Sequence, residues 1–383
     1  MPAGCSSFVN SIINTMIKSF PDVVTSTVRM VSTIPSLVSI FISIPLTAIW
    51  GSKINYKKTA ALGVALMTLG GIGPVVFNQT IWQIIICRAT MGFGFGLVAV
   101  RNGAIRAIFK DPVEAGKWIG IGSFIRMGLS VTLGLISGYI GQIDWHMCFY
   151  LNLVGIIPLC IVLFVMKEPE KLQSTASAAK TDVSETKIDA RVYIYFVLTI
   201  LLAVWLYPVL SGSSTLVSVR GLGESALAGY VTTAYTLGGC IFSLFFGKVN
   251  EKFPKYGFAA SLIFVAVGLA MLTFGKAILV LWIGSFLSGG FAALQRCWLL
   301  KWAGDIVAAS KKTFASTLLT AATSIGTFIS SYYISLCYIL GSGLTMFENE
   351  VEKTFFISMI IYALMGVICF ILPIAPKDKA KLQ

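Results

Sequence analysis

Five arginines lie inside long apolar stretches of this 383-residue chain, where a fixed positive charge needs a partner. They are Arg29, Arg88, Arg101, Arg126 and Arg296. Aspartates and glutamates occur only near the ends of those stretches or in the polar segments between them. A buried charge is costly unless it is paired, and arginine cannot escape by losing its proton. The partners must therefore be backbone carbonyls, water, acids at the ends of the stretches, or an incoming anion, which we favour for at least one arginine.

The depth of each arginine separates the candidates. Arg126 lies eleven residues after Ala115, where its stretch begins, which is about 16 Å along a helix and near the middle of a bilayer. It is the first candidate for contact with an anionic substrate, and a structural role on backbone carbonyls is the alternative. Arg88 lies about a third of the way into its stretch, where a structural or coupling role competes with substrate binding. Arg29 lies near a stretch end and is expected to be structural.

Arg101 and Arg296 occupy corresponding positions in two halves of the sequence that echo each other at an offset of about 195 residues. Gly94 and Gly289 correspond in the same way. A duplicated six-helix unit is the expected origin of a transporter with two bundles. Two roles stay open for the paired arginines: they hold an anion from both sides, or they extend towards the membrane surface.

Polar and aromatic side chains suggest the rest of a binding cavity. Asn10 and Asn14 are four residues apart and therefore share one face of a helix. Trp205, Tyr207 and Tyr235 lie in two later stretches, where their rings would contact the apolar part of a substrate. Anchoring at the membrane interface or packing in the core is the alternative for each ring.

Twelve apolar stretches approach the length of about 20 residues that a membrane-spanning helix needs. Their ranges are 3–19, 24–50, 60–77, 81–108, 115–140, 145–166, 191–215, 226–247, 257–275, 278–301, 313–340 and 355–374. Residues 167–190 have little apolar content and are predicted to form a linker. The predicted fold is an all-α membrane protein with two six-helix bundles, 1–166 and 191–376, and a tail over 377–383.

The composition excludes several classes of protein. Apolar residues make up 56% of the chain and charged residues 12%, about half the charged share of soluble domains. A soluble enzyme, a disordered chain and a disulfide scaffold are therefore excluded. The sequence shows no nucleotide-binding loop, zinc motif or nucleophile elbow, so no enzyme activity, cofactor or metal is predicted. The net charge of +13 comes from basic loops, not from a stripe that would bind nucleic acid.

The distribution of Lys and Arg predicts the orientation. Most of them lie in the loops on the side of the two termini, and the opposite loops hold only Lys18, Arg220, Lys276 and Lys353. Because cytoplasmic loops are enriched in Lys and Arg, both termini and the linker are predicted to be cytoplasmic. We expect a monomeric, multi-pass protein of the cell membrane.

Four local patterns together resemble the major facilitator superfamily of secondary transporters. They are the basic loop Gly51–Lys58, the arginine and glycines of Arg88–Gly96, the series Gly128, Gly134, Gly138 and Gly141, and the pair Trp145 and Phe149. The resemblance covers essentially the whole chain. It implies alternating access, with helices 1, 4, 7 and 10 around the pathway.

Some residues depart from the pattern of the family. Ser52 and Asn55 replace an acidic residue and a glycine of the basic loop, which weakens its role as a charge-locked gate. Leu135 follows Gly134 where exchangers of the family often have proline, which puts antiport in doubt. Span 1 begins almost at Met1, so a truncated or misassigned start is a further expectation.

The sequence predicts a secondary active transporter that moves a small organic anion, in the first place a carboxylate. Its partners are the substrate, the lipid bilayer, and either a proton bound with the substrate or a counter-anion, so symport and antiport both stay open. One alternative is a multidrug efflux transporter, whose cationic substrates five membrane arginines would repel. The other is a membrane receptor that has the same fold and moves nothing.

Overall fold

The residues that the structure describes form twelve main helices. The computed structural model describes residues 8–50, 55–98, 112–166, 190–223, 225–254, 256–307, 312–343, 346–347 and 349–371. The twelve helices are α1 (Val9–Ser19), α2 (Thr25–Trp50), α3 (Tyr56–Ile72), α4 (Ile81–Val98), α5 (Pro112–Ile143), α6 (Trp145–Gly155, Ile156–Cys160 and Ile161–Val165), α7 (Ala190–Leu206 and Pro208–Val219), α8 (Ser225–Leu244), α9 (Gly257–Phe274), α10 (Ile278–Ile306), α11 (Lys312–Leu340) and α12 (Glu350–Ile371). Short helices, Gly73–Val75, Phe246–Lys252 and Gly341–Gly343, follow α3, α8 and α11.

Each helix coincides with one of the twelve predicted stretches, which confirms the predicted fold class. By length and apolar composition, ten helices among the described residues could cross a membrane, and α1 and α5 are the two outside that set. Residues 167–189 of the predicted linker lie outside the described residues. One boundary differs in a way that matters below: α12 begins at Glu350, five residues before the predicted start. Carboxylates in the first turn of a helix are stabilised by the helix dipole, and Glu350 and Glu352 occupy that turn.

Two buried apolar clusters form the cores, one for each half of the chain. The first draws on α1 to α6 and includes Phe8, Met67 and Phe149. The second draws on α7 to α12 and is centred on Trp298 and Phe258. Helices α8 and α10 pack closest in the second half, because Gly289 lies directly against the backbone of Tyr235. A side chain at Gly289 would separate the two helices, so the glycine permits the contact.

The halves meet along three seams: α2 with α11, α5 with α8, and α1 with the second segment of α7. We call the end of the bundle where α1 finishes and α12 begins the outer end, because the sequence predicts that it faces outside. Thr33 hydrogen-bonds Ser331 across the first seam at 3.1 Å. Ser214 donates to the carbonyl of Ser11 across the third at 2.9 Å. These hydrogen bonds hold the halves together on the outer side of the bundle.

Candidate functional site

A polar cavity lies among α7, α8, α10, α11 and α12, on the inner side of the seams. It consists of two adjoining volumes of about 170 and 240 Å³. Both are bounded by Thr199, Arg296, Leu299 and Thr323. The described lining residues include no aspartate or glutamate. The described lining residues all belong to α7–α12, in the second half of the chain.

Arg296 is the cation of this cavity. It lies on α10 and is exposed, and its side chain borders both volumes. No described residue accepts a hydrogen bond from its guanidinium or forms an ion pair with it. The guanidinium lies near enough to the hydroxyls of Tyr235 and Tyr362 for its positive charge to interact with them. An exposed guanidinium with five donors and no acceptor in the described part of the chain is suited to bind a carboxylate or another oxyanion.

Three tyrosines surround the Arg296 side of the cavity: Tyr207, Tyr235 and Tyr362. The hydroxyl of Tyr362 donates to the carbonyl of Leu202 at 3.1 Å, which fixes its ring. The hydroxyl of Tyr207 lies close to the side chains of Asn10 of α1 and Ser32 of α2, so Tyr207 connects the cavity to the other half of the protein. The three rings offer apolar faces and polar edges to a bound molecule.

Tyr207 lies where the two segments of α7 meet. The first segment ends at Leu206, and Pro208 begins the second segment. Proline has no backbone N–H, so Pro208 cannot donate to the carbonyl four residues earlier. The backbone of Tyr207 stays helical, and its N–H donates to the carbonyl of Ala203 at 3.0 Å. The chain therefore continues through Tyr207 as a helix that lacks one hydrogen bond, with the Tyr207 side chain near α1 and α2.

Gln295 is a lining residue that the sequence analysis did not single out. It precedes Arg296 on α10, borders the same cavity and is only 2% exposed. Its Nε2 atom is buried, and no residue that the structure describes forms a hydrogen bond with it. A glutamine in an apolar stretch gives no distinctive sequence signal, because its importance depends on whether the fold supplies a partner for the amide. Only the packing of α10 against the cavity reveals it.

The structure separates the predicted arginines. Arg29 is buried and donates to the carbonyl of Ser211 at 2.8 Å and to the Glu350 carboxylate at 2.7 Å. Arg88 is also buried and donates through Nε to the carbonyl of Val31 at 3.0 Å. Backbone and acid partners thus hold these two guanidiniums in the protein.

Arg101 and Arg126 are the other two arginines predicted to lie in apolar stretches. Arg101 lies outside the described residues, and Arg126 lies on α5 with a side chain outside the described ones. Their contact with a substrate stays a prediction.

The other predicted site residues divide between the cavity and its surroundings. Tyr207 and Tyr235 border the cavity. Asn10 is buried and lies near Tyr207, behind the cavity, and its Oδ1 atom has no hydrogen-bond partner among the residues described. Asn14 is half-buried, one turn further along α1. Trp205 packs edge-to-face on Tyr362 and against the Tyr333 cluster, behind the residues that line the cavity.

These features define a class of protein: an all-helical membrane protein with two packed halves and a polar cavity between helices. The sequence profile of the Major Facilitator Superfamily matches residues 3–230 and 220–383. The chain belongs to this superfamily.

Solved structures with the same fold cover nearly the whole chain. A D-xylose-proton symporter superposes with a TM-score of 0.71 at 13% identity, over 99% of this chain and 96% of the symporter. A bacterial homologue of the human lysosomal transporter spinster, in an inward-facing and unoccupied conformation, gives 0.69 at 14% identity, over 96% and 92%. The nucleoside transporter NupG gives 0.70 at 13% identity, over 96% and 97%. At these identities the likeness concerns the fold alone.

Two curated relatives share part of the sequence. A probable sphingolipid transporter spinster homolog 1 of Arabidopsis thaliana is 26% identical over 144 residues, or 37% of this chain and 28% of the relative. A probable 4-methylmuconolactone transporter of Cupriavidus pinatubonensis is 29% identical over 137 residues, or 33% and 31%. The matches thus span less than a third of the length of either relative.

Proposed function

We propose that the protein is a secondary transporter that moves a small organic anion, in the first place a carboxylate, across the cell membrane by alternating access. The observation that carries the proposal is Arg296, an exposed guanidinium in a cavity of the second half whose described lining residues include no acid. An incoming carboxylate would supply the negative charge that the described residues around this guanidinium do not. The names of the two curated relatives, which refer to organic compounds, are compatible with this class of substrate.

The size and lining of the cavity support a compact substrate with an apolar part. The two adjoining volumes are of the order that a small molecule occupies. Tyr235 and Tyr362 offer ring faces, and Leu202 and Leu299 offer aliphatic surface. Arg296 would bind the charged group while these side chains contact the remainder of the molecule.

Contacts between the halves support an arrangement in which the outer side is closed. Ser11 with Ser214, Arg29 with Glu350, and Thr33 with Ser331 join the halves on that side. In alternating access the halves rock about the central site, so outward opening would break these contacts. With both termini in the cytoplasm, the present arrangement corresponds to the inward-facing state.

The coupling mechanism is part of the same proposal. In the described parts of the transmembrane helices, carboxylates occur only near the helix ends, so no acid near Arg296 would carry a proton through the centre. We infer exchange of two anions, or entry of a proton together with the substrate. Arg101 and Arg126 remain proposed contributors from the other half, and the transporter is proposed to act as a monomer.

The test is uptake and binding by purified protein with Arg296→Gln and the charge-preserving Arg296→Lys. Thermal stabilisation is measured against monocarboxylates, each paired with its neutral amide. We expect the acids alone to stabilise the wild type, Arg296→Gln to abolish both the stabilisation and uptake in proteoliposomes, and Arg296→Lys to retain part of each. Equal effects of acids and amides, unchanged uptake by Arg296→Gln, or efflux of ethidium would contradict the anion proposal.

A further inference from the structure

One end of the Gln295 amide, its Nε2 atom, lacks a hydrogen-bond partner among the described residues. The side chain is 2% exposed and borders the cavity beside Arg296. A buried polar group without a partner destabilises a protein, because folding removes its hydrogen bonds to water and returns none. The amide therefore needs a partner that enters the cavity.

The chemistry of an amide differs from that of the neighbouring guanidinium. Arg296 offers positive charge and only donors, whereas an amide is neutral and offers donors at one end and an acceptor at the other. Rotation of the amide by half a turn exchanges the donor end and the acceptor end, and the shape of the side chain stays almost the same. Gln295 is therefore suited to a neutral oxygen, either a carbonyl that accepts or a hydroxyl that donates.

Gln295 and Arg296 border the same volume of the cavity. They are consecutive on α10, so their side chains leave the helix in different directions. The shared volume is about 170 Å³. A small molecule that fills it can therefore meet both side chains, with its carboxylate at Arg296 and a second, neutral oxygen at Gln295.

We propose that Gln295 is a specificity-determining residue, and that the substrate is a small carboxylate that also carries a hydroxyl or carbonyl oxygen. This inference rests on the proposed anion transport and deepens it. Arg296 binds the charge, Gln295 recognises the neutral oxygen, and Tyr235 and Tyr362 contact the carbon skeleton. A simple carboxylate of the same size would leave the amide without a partner, and its binding would be weaker for that reason.

Three acids with one carbon skeleton test the proposal: phenylacetate, mandelate, which adds a hydroxyl, and phenylglyoxylate, which adds a carbonyl. Binding is measured by thermal shift and by titration calorimetry on the purified full chain. We expect wild type to bind mandelate or phenylglyoxylate at least about fivefold more tightly than phenylacetate, the effect of one neutral hydrogen bond. Gln295→Leu should bind all three acids equally, at the level of phenylacetate.

A matched control separates recognition from the general effect of removing a buried polar group. Ser285 also lies on α10, is fully buried and has an unpartnered hydroxyl, but it does not line the cavity. Ser285→Ala should keep the preference for the oxygenated acids. Both Ser285→Ala and Gln295→Leu should unfold at a temperature equal to or above that of wild type without ligand, because each removes an unpaired polar atom.

The outcomes distinguish this inference from the proposed function. If Arg296→Gln abolishes binding of all three acids but Gln295→Leu still prefers the oxygenated ones, the role of Gln295 is wrong and anion binding stands. If Gln295→Leu loses the preference but Arg296→Gln binds the acids as wild type does, the proposed role of Gln295 is supported and the proposed need for the Arg296 charge is wrong. If none of the three acids stabilises the wild type at millimolar concentration, both are overturned.

Discussion

Arg29 of α2 and Glu350 of α12 form an ion pair that joins the two halves of the protein at the outer end. The Nη2 and Oε1 atoms are 2.7 Å apart, and the side chains are only 1% and 19% exposed. Arg29 also donates to the carbonyl of Ser211, in the second segment of α7. One residue of the first half thus binds two helices of the second. Because breaking a buried pair leaves an uncompensated charge, this contact favours the arrangement that is closed at the outer end.

We expect Glu350→Gln to shift the protein towards outward opening. The neutral amide removes the attraction to Arg29, and about 1.4 kcal/mol of lost stabilisation corresponds to a tenfold change in population. The measurement is labelling of a Ser331→Cys reporter, in a background without the natural cysteines, by a maleimide that cannot cross the membrane. Ser331 is buried against Thr33 in the closed arrangement, so its labelling rate reports opening. The rate should rise about tenfold or more.

Glu352→Gln is the matched control. Glu352 pairs with Arg220 at 2.9 Å with similar burial and at the same end, but both residues belong to the second half. Loss of this ion pair should lower thermal stability without changing the rate at which the cysteine at position 331 is labelled. Equal acceleration by both substitutions would show that loosening of the outer end, and not the cross-half pair, controls opening.

The contrast between Arg29 and Arg296 shows what the sequence can predict about buried charges. The sequence places both arginines in apolar stretches, but it does not identify a carboxylate partner for either. Glu350 was missed because the predicted start of the last helix, at 355, left it in a loop, whereas α12 begins at Glu350. A charge whose partner is more than 300 residues away requires the tertiary structure.

The helices themselves were predictable because membrane-spanning segments must be long and apolar. The partner of a side chain such as Gln295 depends on which helices surround it, which local sequence does not specify.

Substitution of Arg88 and of Arg296 should affect stability differently, because Arg88 has a structural role and Arg296 a binding role. Arg88 is buried between α4 and α2 with its Nε bound to the carbonyl of Val31, so Arg88→Gln should destabilise the fold by about 2 kcal/mol. Arg296→Gln should leave the unfolding temperature nearly unchanged, because Arg296 is exposed and unpaired among the described residues. Thermal unfolding of both variants in detergent provides the comparison. A larger loss of stability for Arg296→Gln would contradict the assignment of roles.

Asp144 should stabilise the start of α6 in a pH-dependent way. Its carboxylate caps the helix, accepting from the backbone N–H of His146 at 2.9 Å and contacting Nδ1 of the ring at 2.6 Å. Partial burial acts to raise the pKa of Asp144, but the hydrogen bonds and charge of His146 outweigh it, and the pKa is lowered. Asp144→Ala should cost about 1 kcal/mol at neutral pH, the usual effect of losing such a cap.

The sign of the pH dependence follows from the lowered pKa. A carboxyl group whose pKa is lower in the folded state adds stability that is fully present above its ordinary pKa of about 4 and is lost as the pH falls through the folded value. The difference in unfolding temperature between wild type and Asp144→Ala should therefore be constant from pH 7 to about pH 5 and shrink below pH 4. A difference that grows on acidification would contradict the lowered pKa.

Gly289→Ala should impair transport by displacing Tyr235. A Cβ atom at position 289 would collide with the backbone of Tyr235, whose side chain lines the cavity, so α8 and α10 would have to separate. Gly304 lies on the same helix with open space around it, so Gly304→Ala should raise stability by up to about 1 kcal/mol through helix propensity alone. The measurements are the unfolding temperature and the dissociation constant for the tightest of the three test acids. Gly289→Ala should lower the unfolding temperature and raise the dissociation constant. If both alanine variants bind the acid as wild type does, the close approach of α8 and α10 is not what holds Tyr235 at the cavity.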